Sequence, residues 1–174
     1  MQAPLLVTIT GPESTGKSTL AEALGYRYSA PVVPDVSRAY VAVLQQPYTE
    51  KDVLKIAGQI IAEEDKALCS GARIVISDND LINIKIWLQY YEWQVPLWLQ
   101  QQLVLRKGAL YLLCNTDLPW VRDPQRHNEH DRHLLYAAFE KELKALQVNY
   151  KVINGLFEER LQNAVAAISG HGQW

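Results

Sequence analysis

The chain has 174 residues, of which 48% are hydrophobic and 21% are charged, so residues 1–174 suit one globular domain with a sizeable core. The formal net charge of -2 gives no bulk electrostatic reason to bind nucleic acid or an anionic membrane, and we expect neither partner. Cys69 and Cys114 lack metal-ligand spacing, and we find neither a signal peptide nor an apolar run of membrane-spanning length. We therefore expect a cytoplasmic protein with reduced, buried thiols, and its oligomeric state stays open.

Short apolar runs rich in β-branched residues alternate with longer stretches of helical periodicity. The runs predict five strands, at residues 4–10, 31–33, 73–77, 109–114 and 150–153. The longer stretches predict helices at residues 16–28, 36–45, 49–70, 79–93, 96–107 and 134–146, the third with Thr49 as N-cap. Apolar strands separated by crossovers are typical of a parallel sheet, so we predict an α/β three-layer sandwich with a five-stranded parallel sheet.

A phosphate-loop motif, GPESTGKS at residues 11–18, follows the first predicted strand and matches G-x-x-x-x-G-K-[ST]. A chance match is expected in about one chain of this size in a hundred, before the flanking strand and helix are required. The glycines let backbone N–H groups wrap phosphates, Lys17 reaches the β- and γ-phosphates, and Ser18 ligates Mg²⁺. The motif therefore predicts a P-loop NTPase that binds Mg-ATP through Gly11, Glu13, Ser14, Thr15, Gly16, Lys17, Ser18 and Thr19.

Asp35 comes just after the second predicted strand, where a carboxylate can take the proton of an attacking hydroxyl. Arg38 lies one helical turn further on and can hold a phosphate or a ribose of the acceptor. The alternative for Asp35 is an N-cap of the second helix, because aspartate is a favoured cap. Both interpretations of Asp35 stay open at this point.

Two further carboxylates, Asp78 and Asp80, follow the third predicted strand at the carboxyl end of the sheet, where open α/β folds bind ligands. Asp78 occupies the place of a Walker-B-type aspartate that organises the shell of Mg²⁺. Asp80 is predicted to contact the acceptor or Mg²⁺, with a helix N-terminal charge favoured by the macrodipole as the alternative.

The long third helix carries a polar stripe opposite an apolar one. A solvated face is the default interpretation of the polar stripe, but Gln59 and Glu63 on it are candidates for hydrogen bonds to the substrate. Glu64 falls inside the apolar arc, where an ionised carboxylate needs a partner.

Residues 115–132 form a long polar segment with two prolines, which we interpret as a lid. Arg126 and Arg132 are predicted to stabilise the charge on the transferring phosphoryl group, whereas Arg122 is equally well an ordinary loop arginine. Asn154, directly after the fifth strand, either presents backbone groups to the adenine edge or belongs to a plain turn.

Together these residues resemble the ribosylnicotinamide kinase domain of the bacterial NAD-biosynthesis regulator NadR and its stand-alone relatives. The resemblance covers nearly the whole chain and rests on GPESTGKSTL, VPDVSRAY, IAGQIIAEED, SDNDLINIKIW, LYLLCNTDLPWVRDPQR and a closing ING followed by Arg160. It implies a kinase fold that uses magnesium-ATP to phosphorylate nicotinamide riboside to nicotinamide mononucleotide. Transferred by position, it puts Lys17 and Ser18 on phosphate and magnesium, Asp35 and Arg38 on the acceptor, Asp78 and Asp80 near magnesium and substrate, and Arg126 and Arg132 in the lid.

The chain departs from this family at the acceptor side, where Asp35 and Ala39 stand in place of two glutamates and Asn79 in place of a threonine. These changes bear on the identity of the acceptor more than on phosphoryl transfer. One alternative is therefore a kinase for another nucleoside or sugar-like acceptor. Another is a non-kinase ATP-binding switch that docks a protein partner through Trp87, Trp93 and Trp98, although aromatic residues at helical spacing are more often core.

Overall fold

A computed structural model of the chain describes residues 3–125 and 128–172. Five parallel strands form one sheet in the order β2-β3-β1-β4-β5. They are β1 (Leu5–Thr10), β2 (Val32–Val33), β3 (Ile74–Ser77), β4 (Leu110–Cys114) and β5 (Tyr150–Ile153). The five-stranded parallel sheet predicted from the apolar runs is confirmed, because every predicted run contains one of these strands.

Seven helices connect and cover the strands among the described residues. They are α1 (Lys17–Tyr28), α2 (Val36–Ala42), α3 (Glu50–Leu68), α4 (Leu81–Tyr90), α5 (Leu97–Leu105), α6 (Arg132–Ala145) and α7 (Phe157–Ser169). Helix α4 is shorter than predicted, because Asp80 caps its start and Glu92, with a φ of 56°, lies in a turn beyond its end. Helix α6 begins at Arg132, two residues earlier than predicted and inside the predicted lid range.

The sheet is buried on both faces, which explains the nearly continuous apolar character of its central strands. On one face, Val7 and Ile9 of β1 pack with α1 and α7. On the other face, Tyr111 and Leu113 of β4 pack with α3, α4, α5 and α6. This arrangement is the predicted three-layer α/β sandwich.

Thr49 begins α3 as predicted, and its backbone N–H donates to the Asp52 side chain across 2.9 Å in a capping box. The hydrogen bond from the Thr49 hydroxyl is the main reason that the pKa of Asp52 is lowered to about 2. The start of this helix is therefore fixed by local chemistry that the sequence alone reveals.

The prediction that both thiols are buried is wrong for Cys69, which is exposed at the end of α3, whereas Cys114 is buried under the phosphate loop. Helix α3 ends at Leu68, and Cys69 is its C-cap residue, outside the buried stripe of the helix. Burial raises the pKa of the Cys114 thiol to about 11. Over residues 3–125 and 128–172, no helix is both long and apolar enough to cross a membrane.

Candidate active site

The phosphate loop connects β1 to α1 and lies at the N-terminus of that helix. Gly11 has a φ of 131°, and a Cβ atom there would lie 2.9 Å from the carbonyl oxygen of Cys114, so only glycine fits. Gly16 also has a left-handed φ, of 75°, directly before Lys17 begins α1. The Lys17 Nζ donates to the Pro12 carbonyl oxygen across 2.7 Å, and the Thr15 hydroxyl donates to the same oxygen across 2.8 Å. The loop is thus a compact cradle at a helix N-terminus, the geometry that binds phosphate.

A cavity of about 270 Å³ opens beside this loop. Its walls come from the phosphate loop, α2, α4, α6 and the loop between β4 and α6. The predicted site residues that line it are Gly11, Glu13, Ser14, Thr15, Gly16, Lys17, Ser18, Thr19, Asp35 and Arg38. The structure therefore brings the predicted phosphate-binding residues and two of the predicted acceptor residues into one cavity.

Asp35 caps α2 and also faces this cavity. Its Oδ1 accepts hydrogen bonds from the Ser37 backbone N–H at 3.0 Å and from the Asn79 side-chain amide at 2.8 Å. Asp35 is therefore the N-cap of α2, as one of the two interpretations predicted. The capping role does not compete with a chemical role, because the capping contacts hold one carboxylate oxygen in place at the edge of the cavity.

Asp78 is buried at the end of β3, and its Oδ1 has no hydrogen-bond partner among the residues that the structure describes. Burial raises the pKa of Asp78 to about 6, while a hydrogen bond with the Ser18 side chain and the charge of Lys17 oppose the rise. A buried carboxylate oxygen beside a serine hydroxyl matches the hard oxygen donors that Mg²⁺ prefers. The residues present thus fit a magnesium ion held by Ser18 and Asp78.

Asp80 does not line this cavity, so the cavity walls give no support to its predicted contact with the acceptor. Its Oδ1 caps α4 by accepting from the Asn83 backbone N–H at 2.8 Å. The side chain lines a second, very small cavity of about 10 Å³ together with Thr8 and Glu64. Burial raises the pKa of Asp80 to about 6. The capping contact agrees with the helix-terminus alternative, and the predicted contact with the acceptor or Mg²⁺ stays a prediction.

Gln59 and Glu63 also lie away from the cavity, so the prediction that they contact the substrate is not supported by the geometry. Helix α3 buries the opposite stripe, including Ile56 and Ile60, and Gln59 is left on the exposed side. Glu63 forms an ion pair with Lys66, with 3.6 Å between Oε2 and Nζ. Packing of the apolar stripe against the sheet fixes this orientation of the helix.

Glu64, predicted to need a partner, is buried and accepts a hydrogen bond from the Ser77 hydroxyl at 3.1 Å. Arg106 lies 3.9 Å from its other oxygen and pairs more closely with Asp65. Burial is the main cause that raises the pKa of Glu64 to about 7, and the nearby charge of Asp80 adds to the rise. The predicted need for a partner is confirmed.

The described part of the loop between β4 and α6, residues 115–125 and 128–131, contacts both α2 and the phosphate loop. Arg38 forms an ion pair with Asp123, and the Val121 backbone N–H donates to the Ser14 hydroxyl across 2.9 Å. The Asn128 N–H donates to Glu13 across 3.3 Å. These contacts put the segment that the sequence predicts to be a lid directly over one side of the cavity.

The predicted lid arginines have different positions. Arg126 lies outside the described residues, and Arg122 is exposed. Arg132 does not line the cavity; its guanidinium donates to the carbonyl oxygens of Ser14 at 3.1 Å and Leu118 at 3.0 Å. Its Nε has no partner among the described residues. Arg132 therefore contacts the backbone of the phosphate loop from outside the cavity.

Asn154 is exposed at the end of β5, where its Oδ1 accepts from the Asn115 side-chain amide across 2.7 Å. It is not part of the cavity wall, and its assignment to the adenine edge stays a prediction. The neighbouring Gly155 donates its N–H to Asp117 across 2.7 Å. The ends of β4 and β5 are thus tied together beside the phosphate loop.

An aromatic wall of the cavity was not predicted as part of the site. It consists of Tyr48, Trp87, Tyr90 and Tyr91. The Trp87 indole donates to the Tyr48 hydroxyl across 3.1 Å, and the two rings meet edge to face with centroids 4.9 Å apart. The spacing of Asn83, Trp87 and Tyr90 on one side of α4 was a usable signal, but helical aromatic spacing alone does not separate a cavity wall from core.

Comparison with known proteins agrees with this architecture. The model of the family AAA_28, an AAA domain, matches residues 6–160. No curated protein matches the chain significantly. Among solved structures, NadR in complex with NR has a TM-score of 0.78 at 19% identity, with 97% of this chain and 50% of that chain covered. NadR in complex with NAD and AMP-PNP has a TM-score of 0.76 at 19% identity, with 97% and 49% covered.

Two further neighbours span nearly their whole length. Thymidylate kinase from Ehrlichia chaffeensis has a TM-score of 0.67 at 14% identity, with 97% of this chain and 99% of that chain covered. Deoxyadenosine kinase from M. mycoides, with bound dATP, has a TM-score of 0.59 at 14% identity, with 94% and 98% covered. At these identities the neighbours establish a P-loop kinase fold, and the chain spans about half the length of the NadR chains that it matches.

Proposed function

We propose that this chain, which belongs to the AAA domain family AAA_28, transfers the γ-phosphate of ATP to a hydroxyl of a small riboside. The acceptor that we propose is nicotinamide riboside, and the product is nicotinamide mononucleotide. The observation that carries this proposal is that Lys17, Asp35 and Trp87 all line one cavity. Such an enzyme would act in the cytoplasm, where ATP is supplied.

On the donor side, the backbone N–H groups of the phosphate loop and the Lys17 ammonium would bind the ATP phosphates. Ser18 and Asp78 would hold Mg²⁺, which supplies charge neutralisation for the β- and γ-phosphate oxygens. Arg126 and Arg132 would stabilise the charge on the transferring phosphoryl group, as the resemblance implies. For Arg132, this role requires it to exchange its carbonyl contact at Ser14 for a phosphate oxygen.

On the acceptor side, the Asp35 carboxylate would accept the proton of the attacking hydroxyl. The hydroxyl oxygen forms the new bond to the γ-phosphorus, the bond between that phosphorus and the bridging oxygen breaks, and ADP leaves. Arg38 lines the same cavity, and the negative charges of Asp35 and Glu13 attract its guanidinium. We propose that Arg38 orients the ribose or its incoming phosphate while Asp35 holds the proton.

The acceptor is proposed from the chemistry of the cavity wall. Aromatic rings at Tyr48, Trp87 and Tyr91 favour a flat ring, and the carboxylates of Glu13 and Asp35 favour positive charge on it. The pyridinium ring of nicotinamide riboside has both properties, whereas common nucleosides are neutral. The NadR structure in complex with NR supports the same choice as a fold neighbour. The thymidylate and deoxyadenosine kinases with this fold keep a second candidate open, a kinase for another nucleoside or nucleotide.

A coupled assay of ADP release with a panel of acceptors tests the proposal. Nicotinamide riboside should give the highest kcat/KM, ahead of its reduced, uncharged form, deoxyadenosine, thymidylate and a blank without acceptor. The reduced riboside is the matched control, because it keeps the ribose and carboxamide but lacks the positive ring charge. A higher kcat/KM with deoxyadenosine or thymidylate would transfer the assignment to the second candidate. ATP binding without turnover on any acceptor would support the switch and contradict the kinase.

A further inference from the structure

Arg160 is a buried arginine in the first turn of α7 that the proposed reaction does not use. Its side chain is 5% exposed, and it reaches three different segments at the carboxyl edge of the sheet. The Nε donates to the Gly155 carbonyl oxygen at 2.9 Å, and one terminal nitrogen donates to the Thr15 carbonyl oxygen at 3.1 Å. The other terminal nitrogen forms an ion pair with Asp117.

Burying this guanidinium is costly unless its charge and its donors are satisfied. Asp117 supplies the opposite charge, and its second oxygen accepts from the Gly155 N–H at 2.7 Å. Thr15 is the only phosphate-loop residue that Arg160 contacts among the described hydrogen bonds. A planar fork with several donors can hold these partners simultaneously, and a lysine ammonium cannot.

The contact with Thr15 has a direct consequence for the inner surface of the phosphate loop. In a planar trans peptide the C=O and the following N–H point in opposite directions. Holding the Thr15 carbonyl toward Arg160 therefore turns the Gly16 N–H away from Arg160. Arg132 holds the preceding carbonyl, that of Ser14, in the same manner. Two consecutive peptide groups thus have their oxygens held by arginines from outside the cavity.

We infer that Arg160, with Asp117 as its counter-ion, is a positioning residue that pre-orients the phosphate loop for the polyphosphate of ATP. It acts through the Thr15 peptide group and does not touch the ligand. Pre-orientation raises affinity because the loop loses less conformational freedom when the phosphates bind. The inference rests on the proposed nucleotide binding and adds a residue outside the cavity to it.

Calorimetric titration with two probes, Mg-AMP-PNP and Mg-tripolyphosphate, tests this role. Tripolyphosphate has no base or ribose, so it reports on the loop alone. Arg160→Lys should weaken the binding of both probes about tenfold, the size of effect expected for loss of a charge-assisted hydrogen bond. The affinity for the acceptor should stay within about twofold of the wild-type value, because the acceptor wall is formed by other elements.

Arg106→Lys is the matched control. Arg106 is, like Arg160, an arginine paired with a carboxylate, here Asp65; it is half-buried and has no contact with the phosphate loop among the described residues. This variant should lower the melting temperature without changing the affinity for either probe. If Arg160→Lys does the same, Arg160 is merely structural and the inference is overturned.

Asp117→Asn covers the case in which Arg160→Lys does not fold. Asparagine keeps the acceptor for the Gly155 N–H but removes the charge that holds Arg160, so both probes should bind several-fold more weakly. Unchanged affinity in this variant would overturn the inference. Failure of the wild-type protein to bind either probe would overturn the proposed function and the inference together. Probe binding that depends on Arg160, without turnover of any riboside, would contradict the proposed function alone.

Discussion

Lys17 has one contact in the structure and another in the proposed reaction. Its ammonium donates to the Pro12 carbonyl oxygen across 2.7 Å, a contact that a γ-phosphate would replace. We expect Lys17→Ala to lower kcat at least about 10²-fold, the cost of removing one positioned charge from a transition state. Lys55→Ala, which removes an exposed lysine paired with Asp52, is the control and should keep the wild-type rate in the same assay. A wild-type kcat in Lys17→Ala would contradict the assignment of this loop as the ATP-binding P-loop.

For Asp35, the capping role and the proposed role as a base can be separated, because asparagine caps a helix nearly as well as aspartate. Asp35→Asn should leave the melting temperature nearly unchanged and lower kcat by about 10²- to 10⁴-fold, as loss of a general base does. The control is Asp52→Asn, which removes another capping carboxylate away from the cavity and should not alter kcat. A nearly normal kcat with normal ATP affinity in Asp35→Asn would contradict the assignment.

Single residues were predictable from sequence where their chemistry is local. The phosphate loop follows from one motif, and Asp35 and Asp78 follow from their places after apolar strands. Asp80 shows the limit of such an argument, because it has the same sequence context as Asp78, but Asp78 lies beside Ser18 whereas Asp80 lines a separate, very small cavity. Successive residues after a strand point in different directions, and the register of the following helix decides between them.

At the scale of elements, α3 shows what periodicity alone can and cannot predict. The polar and apolar stripes were correctly separated, and Glu64 was correctly placed within the apolar arc. That neither stripe lines the cavity was not predictable, because the position of α3 depends on the sheet face against which it packs. The side of α3 that carries Gln59 is exposed, while Tyr48 and Trp87, from the segment before α3 and from α4, form the wall instead.

The packing of α3 on β3 through Glu64 and Ser77 gives a prediction about stability and pH. Burial raises the folded-state pKa of Glu64 to about 7, above its ordinary value of 4.5. Below pH 4.5, Glu64 is protonated in both the folded and the unfolded protein. Between pH 4.5 and 7, the folded protein keeps this proton while the unfolded protein releases it. The free energy of unfolding therefore falls as the pH rises through this range. Glu64→Gln cannot ionise and should gain stability relative to the wild type between pH 5 and 8, by at most about 3 kcal/mol.

Denaturant unfolding at several pH values measures this gain. The groups that face Glu64, which include Asp80, Asp65 and Arg106, remain in both proteins, so their own titration largely cancels in the difference. Glu63→Gln is the neighbouring control, because the Glu63 carboxylate pairs with Lys66 at the surface. The difference in stability between this variant and the wild type should not depend on pH. A constant difference between Glu64→Gln and the wild type from pH 5 to 8 would contradict the buried, protonated state of Glu64.

The whole molecule joins the proposed phosphate-binding half and the proposed acceptor-binding half at the carboxyl end of one sheet. The phosphate loop follows β1, the central strand, whereas the aromatic wall comes from α4 and the segment before α3. The order of the strands could not be read from the sequence, because crossover lengths do not specify which strands become neighbours. The fold neighbours share this architecture at 13–19% identity, so the fold tolerates extensive change of sequence.

Because the two halves meet in one cavity but use different residues, ligand-induced stabilisation should separate them. Any ligand that binds only the folded state stabilises it, by about 2.7 kcal/mol at 100 times its Kd. For a domain of this size that corresponds to a rise in melting temperature of about 5–10 °C. Mg-AMP-PNP and nicotinamide riboside should each produce such a rise, and together they should produce a larger one.

Lys17→Ala should lose the rise in melting temperature with Mg-AMP-PNP and keep the rise with the riboside. Trp87→Leu should keep the rise with Mg-AMP-PNP and lose the rise with the riboside. Loss of both shifts in either variant, with folding intact, would mean that the two halves do not bind independently and would contradict the division of the cavity argued from its walls.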